Sequence, residues 1–192
     1  MQYVWRILSI KSIEVGAVME VVDLFNKDRK PLNKQKGKYL PFDEGEYMQI
    51  CHVCIFNDKN EMLIQQRALD KIDHPGKWDI SSGGGVLTNE TIYDAAAREL
   101  YEELGIKYDF SNERVYFTMH YDKGFDDYFL IRINKDINEF SYPLDEVLNI
   151  RWASLNEILS MMDNDEFIKY KNGFIELLFA LSIDRGSYPR KG

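Results

Sequence analysis

The chain has 192 residues, 45% apolar and 14% aromatic, which suits one domain with a substantial core and excludes a disordered chain. A net charge of −8 with no basic run excludes an electrostatic grip on long nucleic acid. No apolar run has the length of a membrane helix, no signal-peptide core is visible, and two cysteines make no disulfide framework, so a cytoplasmic protein is expected.

In chain order, residues 1–18 read as an N-terminal extension of unknown role, followed by a single domain over 19–192. Glu20–Phe25 reads as a short strand, Asn26–Arg29 as a turn, and the lysine-rich stretch Lys30–Lys38 as a surface hairpin arm or loop, either solvated or helping to bind phosphates. Met48–Phe56 is expected as a buried strand, Asn57–Asn60 as a turn and Glu61–Arg67 as the returning strand of a hairpin. Cys51 and Cys54 form a C-x-x-C pattern. Residues three apart on a strand point to opposite faces, so core packing is expected rather than a shared metal. His52 reads as a core histidine. Arg67 ends its strand with a guanidinium suited to gripping a diphosphate, or to a structural ion pair. A polar loop, 68–77, leads to the short strand Trp78–Ile80 and the glycine-rich loop Ser81–Gly85.

The next segment carries the chemistry. Thr91–Leu104 has no Pro or Gly and contains three consecutive alanines, so it is expected as a helix, with Thr88 and Asn89 as capping types and Gly105 as its stop. Tyr93, Ala96, Ala97, Leu100 and Leu104 share an apolar stripe, and Glu99, Glu102 and Glu103 share the adjacent face. Two carboxylates about 5 Å apart repel by roughly 3 kcal/mol at an effective dielectric near 20. Such a face is either solvated, with Arg98 as counterion, or compensated by a hard divalent cation such as magnesium or manganese.

After this helix, Arg114–Tyr121 and Tyr128–Asn134 read as strands joined by a loop, Asp122–Asp127. Ile150–Trp152 reads as a further strand, and Leu155–Met162 and Glu166–Ser182 as helices. The pattern suggests a mixed sheet between helices, with the acidic helix on one face.

The spacing of Gly84, Glu90, Arg98, Glu99, Leu100, Glu102, Glu103, Gly105 and Ile106 resembles the Nudix box, a loop–helix–loop signature of hydrolases acting on nucleoside diphosphates linked to another moiety. The flanking sequences MLIQQR, PGKWDISSGG and IRWASLNEIL resemble that family too. The resemblance implies an α/β fold, a Nudix-type α/β/α sandwich with a mixed sheet. It implies a hydrolase cleaving the diphosphate linkage of a small nucleoside diphosphate derivative with Mg2+ or Mn2+. By the same resemblance, Glu99, Glu102 and Glu103 hold the metal with the Gly84 carbonyl, Arg98 orients the glutamates and Glu90 supports that network. The general base is Glu99 or an acid of a later loop, Asp145 or Glu146, with Asp126 and Asp127 as further candidates. The resemblance also admits a homodimer, for which the sequence offers no seam.

Two rival functions come from the same comparison. One branch, to which the segment after Met19 is similar, contains isopentenyl-diphosphate isomerases, but their cysteine motif is replaced here by KIDHPGKWDISSGG. A noncatalytic Nudix binding protein would be expected to lose box glutamates, and this chain keeps them all.

Overall fold

The structure, a computed structural model, describes residues 20–184 and 186–187. The expected extension, 1–18, lies outside these residues. Nine strands are described: β1 (Val21–Phe25), β2 (Pro31–Gly37), β3 (Met48–Phe56), β4 (Met62–Arg67), β5 (Trp78–Asp79), β6 (Ser82–Gly85), β7 (Phe117–Tyr121), β8 (Gly124–Arg132) and β9 (Val147–Ala153). The helices are α1 (Ile92–Leu104), α2 (Leu155–Asp163) and α3 (Phe174–Ile183), with a 3-10 turn at Ile137–Glu139.

Strands β3 to β9 form one mixed sheet, parallel between β3 and β8 and antiparallel elsewhere. Alternation along β3 divides the core. Cys51, Val53 and Ile55 pack beneath α1 with Leu100 and Leu104. Cys54 and Phe56 pack on the other face with α2 and α3. Full burial of Leu100 and Leu104 stabilises the α1 side by about 1.5–3 kcal/mol for each side chain. The α/β/α sandwich follows from these two faces, and the two cysteines are core residues on opposite sides of the sheet.

The 48–67 hairpin differs from expectation. β3 and β4 pair only next to their turn, at Phe56 and Met62. Beyond that they splay, and the chain from Trp78 to Gly85 fills the wedge, with β5 pairing to β4 and β6 to β3. Ser81 bridges the gap: its hydroxyl accepts from Ile55 N (2.8 Å) and donates to the Leu63 carbonyl (2.6 Å). The glycine-rich stretch is therefore a strand rather than a loop, pinned in the middle of the sheet.

Two other expectations are corrected. β8 starts at Gly124, so Asp126 and Asp127 lie in a strand instead of a loop. The proposed helix from Glu166 begins only at Phe174: Phe167 forms an isolated bridge to Trp78, and Gly173 (φ 83°) turns the chain into α3. Pairing to the sheet holds residues 166–168 extended against their helical propensity.

The β1–β2 hairpin packs beside β3 through Val22, Leu24 and Met48. Asp127, fully buried, anchors its turn by a paired contact with Arg29 and accepts a hydrogen bond from Gln49 Nε2 (2.6 Å) and another from Thr118.

Candidate active site

Helix α1 is capped by Thr91, not by Thr88 or Asn89. The Thr91 hydroxyl accepts from Asp94 N, and the Asp94 carboxylate accepts from Thr91 N, a reciprocal capping box. It stops at Gly105, whose left-handed backbone (φ 65°) lies against the Ser141 carbonyl, where a Cβ would come within 2.1 Å. Both ends are thus fixed, and with them the rotation of the helix about its axis.

That rotation separates the three glutamates. Glu99 and Glu103 are buried at 8% and 6% exposure, facing the sheet beside Leu100, while Glu102 is exposed. Tyr93, expected in the apolar stripe, is 39% exposed. The acidic face of the sequence is therefore two buried acids and one at the rim.

Strand β6 lies under the buried pair. Gly84 is so near Glu99 that a Cβ there would meet Oε1 at 2.0 Å and Cδ at 2.3 Å. Its φ is not left-handed, so glycine is required here for close approach rather than for backbone shape. Gly83 N donates to Glu103 Oε2 (3.2 Å), and Gln65 Nε2 on β4 donates to the same oxygen (2.9 Å). Burial, reinforced by the nearby Glu99 charge, pushes the Glu103 carboxyl up to about 7, although its hydrogen-bond donors act in the opposite sense. Burial also raises the pKa of Glu99, with Arg98 opposing it.

Arg98 uses all five guanidinium donors. Nε and Nη2 grip Glu90 (2.6 and 2.9 Å), Nη2 also donates to the Gly85 carbonyl (2.9 Å), and Nη1 reaches Glu99 (2.8 Å) and Glu102 (3.0 Å). Burial works against its charge, but Glu90, Glu99 and Glu102 outweigh that and raise its pKa. Glu90 in turn accepts from Leu87 N (2.9 Å), which ties the turn before α1 to the same network.

The cluster opens into a cleft of about 430 Å³. Glu99, Glu102 and Glu103 line it together with Lys38, Arg67 and Lys71. Lys38 pairs with Glu20 at 2.7 Å. Arg67 donates from Nε to the Asp73 carbonyl (3.0 Å) and stands 3.7 Å from Asp79, yet still borders the cleft. Asp145 and Glu146 reach the rim ahead of β9, where Glu146 pairs with Lys71. Asp126 and Asp127 do not border it. Asp127 is occupied with Arg29, and Asp126 is on the far face of the sheet, 3.4 Å from His52, whose ring stacks on Tyr128.

The sequence reading missed Gln65, Ser82 and Lys71, and had Lys38 only as the end of the lysine-rich arm. A signal existed for Gln65: it is an amide two residues after Leu63, on the strand face that packs beneath α1. Nothing in the sequence singled out Lys71.

Residues 47–172 match the family model of the NUDIX domain. An uncharacterized Nudix hydrolase of Listeria monocytogenes is 38% identical over 163 residues, covering 85% of this chain and 95% of that protein. An isopentenyl-diphosphate delta-isomerase of Gibberella zeae is 34% identical over 110 residues, covering 49% of this chain and 44% of that protein. The crystal structure of DR0079 from Deinococcus radiodurans superposes with a TM-score of 0.67 at 21% identity, covering 83% and 97% of the two chains.

Proposed function

Because the chain belongs to the Nudix hydrolase family, we propose that it cleaves the diphosphate linkage of a nucleoside diphosphate derivative with the help of Mg2+ or Mn2+. The observation that carries this reading is the buried pair Glu99 and Glu103, one helical turn apart and facing a cleft over a glycine strand. Two neighbouring buried carboxylates are unfavourable as charged groups unless a cation joins them.

The donor set fits such a cation. It consists of hard oxygen ligands, the carboxylates of Glu99, Glu102 and Glu103, which border the cleft, and the carbonyl of Gly84, whose missing Cβ lets the Glu99 carboxylate lie against the strand. Among the described residues, no three acidic or imidazole side chains already stand together as a metal-binding group. Arg98 holds one oxygen each of Glu99 and Glu102, which leaves the second oxygen of each without a bond to Arg98.

A bound divalent ion supplies positive charge to the phosphoryl oxygens and acidifies water. The protein's own groups do the rest. Arg98 and Glu90 fix the direction from which Glu99 and Glu102 approach. Arg67 and Lys71 face the cleft as cationic partners for the diphosphate. Glu146, paired with Lys71 at the same cleft, takes the proton of the attacking water at its carboxylate. The missing isomerase cysteine motif and the complete box glutamates both favour hydrolysis over the rival functions.

The test is phosphate or pyrophosphate release from a panel of nucleoside diphosphate derivatives, with and without Mg2+. Glu103→Gln should fold normally and lose metal-dependent hydrolysis, and Glu146→Gln should lose about 10²–10⁴-fold in kcat. Full activity in Glu103→Gln would remove the metal-site reading. Full activity in Glu146→Gln would return the proton acceptor to Glu99.

A further inference from the structure

Strand β4 places Leu63, Gln65 and Arg67 on the α1 side of the sheet. Leu63 packs into the core and Arg67 borders the cleft, and between them sits an amide that is only 2% exposed. A buried amide without a partner costs about 1–3 kcal/mol, and an apolar side chain there would extend the core without that cost. The Gln65 amide is aimed at Glu103. Its Nε2 and the Gly83 N–H converge on one carboxylate oxygen, Oε2.

A second polar group comes from β6. Ser82 is 1% exposed, and its hydroxyl is buried without a hydrogen-bond partner in bonding geometry. Ser82 pairs in register with Val53, so its side chain faces α1 as Val53 does. A hydroxyl rotates freely, so on this face it is a spare donor beside the acids of α1.

We infer that Gln65 and Ser82 are positioning residues. Gln65 and the Gly83 N–H clamp Oε2 of Glu103, with the Ser82 hydroxyl as a further donor on the same face, so that Oε1 is the single oxygen offered to the divalent cation. A carboxylate free to rotate would present either oxygen, or both. One fixed by two donors on the same oxygen is a one-oxygen ligand of set direction. The inference rests on the metal-dependent reading above, but it assigns a role to residues outside the box.

The experiment measures Mn2+ alone, by electron paramagnetic resonance of the free ion, together with kcat, KM and thermal melting in Mg2+. Gln65→Met keeps the length and volume of the side chain and removes the donor. Its Mn2+ affinity should fall about 10–100-fold, as expected when a partner of a metal ligand is lost. Ser82→Ala should weaken Mn2+ in the same direction by a smaller factor, and it serves as the second probe if Gln65→Met folds poorly. In both variants kcat should fall while KM changes little. A variant that melts lower yet binds Mn2+ as the wild type does would overturn the inference and leave Gln65 as a packing residue. Wild-type protein that binds no Mn2+ would overturn the metal-dependent reading, and this inference with it.

Discussion

Replacing Gly84 by alanine separates a glycine required by the site from one required by the fold. The added methyl would lie 2.0 Å from Glu99 Oε1 and 2.7 Å from Oε2. At an ordinary contact of about 3.5 Å, the carboxylate has to retreat by about 1.5 Å. That movement breaks its 2.8 Å bond to Arg98 and takes it out of the cleft wall. The atoms in the way are the far end of a flexible side chain, and the Gly84 backbone is not left-handed, so the loss of stability should be modest, about 1–3 kcal/mol. The loss of activity should be large, because a misplacement of about 1 Å at a reacting group costs on the order of 10²-fold. The contrast is Gly124→Ala. There the methyl would meet the Met48 backbone carbonyl at 2.1 Å, and strand β8 cannot yield without breaking its pairing to β3. Metal-dependent hydrolysis and thermal melting of both variants are the assay. Gly84→Ala should melt close to wild type with activity reduced at least 100-fold, whereas Gly124→Ala should melt far lower. A Gly84→Ala protein with wild-type turnover and Mn2+ affinity would show that the position of Glu99 is irrelevant to catalysis.

Further expectations concern the frame around the site. Glu46 is held down to about 2 from 4.5, chiefly by its bond to Lys36, so its folded pKa is depressed. Its contribution is present above about pH 4.5 and lost as pH falls toward 2, so Glu46→Gln should lower the melting temperature at neutral pH, converge on wild type as pH falls toward 2, and so flatten the acid side of the profile over that window. An unchanged acid limb would refute the Lys36–Glu46 assignment. Asp127→Asn should destabilise the protein by about 2 kcal/mol in denaturant titration, because the buried carboxylate loses its charged bond to Arg29. Equal midpoints for Asp127→Asn and wild type would dismiss it as an anchor. The Cys51 thiol, pushed up to about 12 by burial, should resist alkylation at pH 8 in native protein and react once unfolded. Rapid native labelling would contradict its place beneath α1.

The helix limits, the strand Met48–Phe56 and the family were legible because they depend on local pattern: residue spacing, Gly105 as a stop, and an unbroken apolar run. The capping residue was misplaced by three positions, since Thr88, Asn89 and Thr91 are chemically similar caps and only the Asp94 partner distinguishes them. Asp126 and Asp127 read as loop acids because their polar run hides a strand. Burial of Asp127 is made affordable by Arg29, ninety-eight residues away in sequence.

By itself, the sequence determined which groups gather on α1 and in what order, because helical geometry converts spacing into faces. What tertiary structure decided was the meaning of those faces. The wedge of Trp78–Gly85 between β3 and β4 brings a side-chain-free strand beneath the helix, so Glu99 and Glu103 become buried and Glu102 does not. It also brings Gln65 and Gly83 to one carboxylate, and Ser82 to the same face, from two strands that the sequence placed in a simple hairpin and a loop. The physical reason is range: spacing fixes neighbours within a helix, whereas the desolvation and hydrogen bonding that set a carboxylate's charge depend on strands distant in the chain.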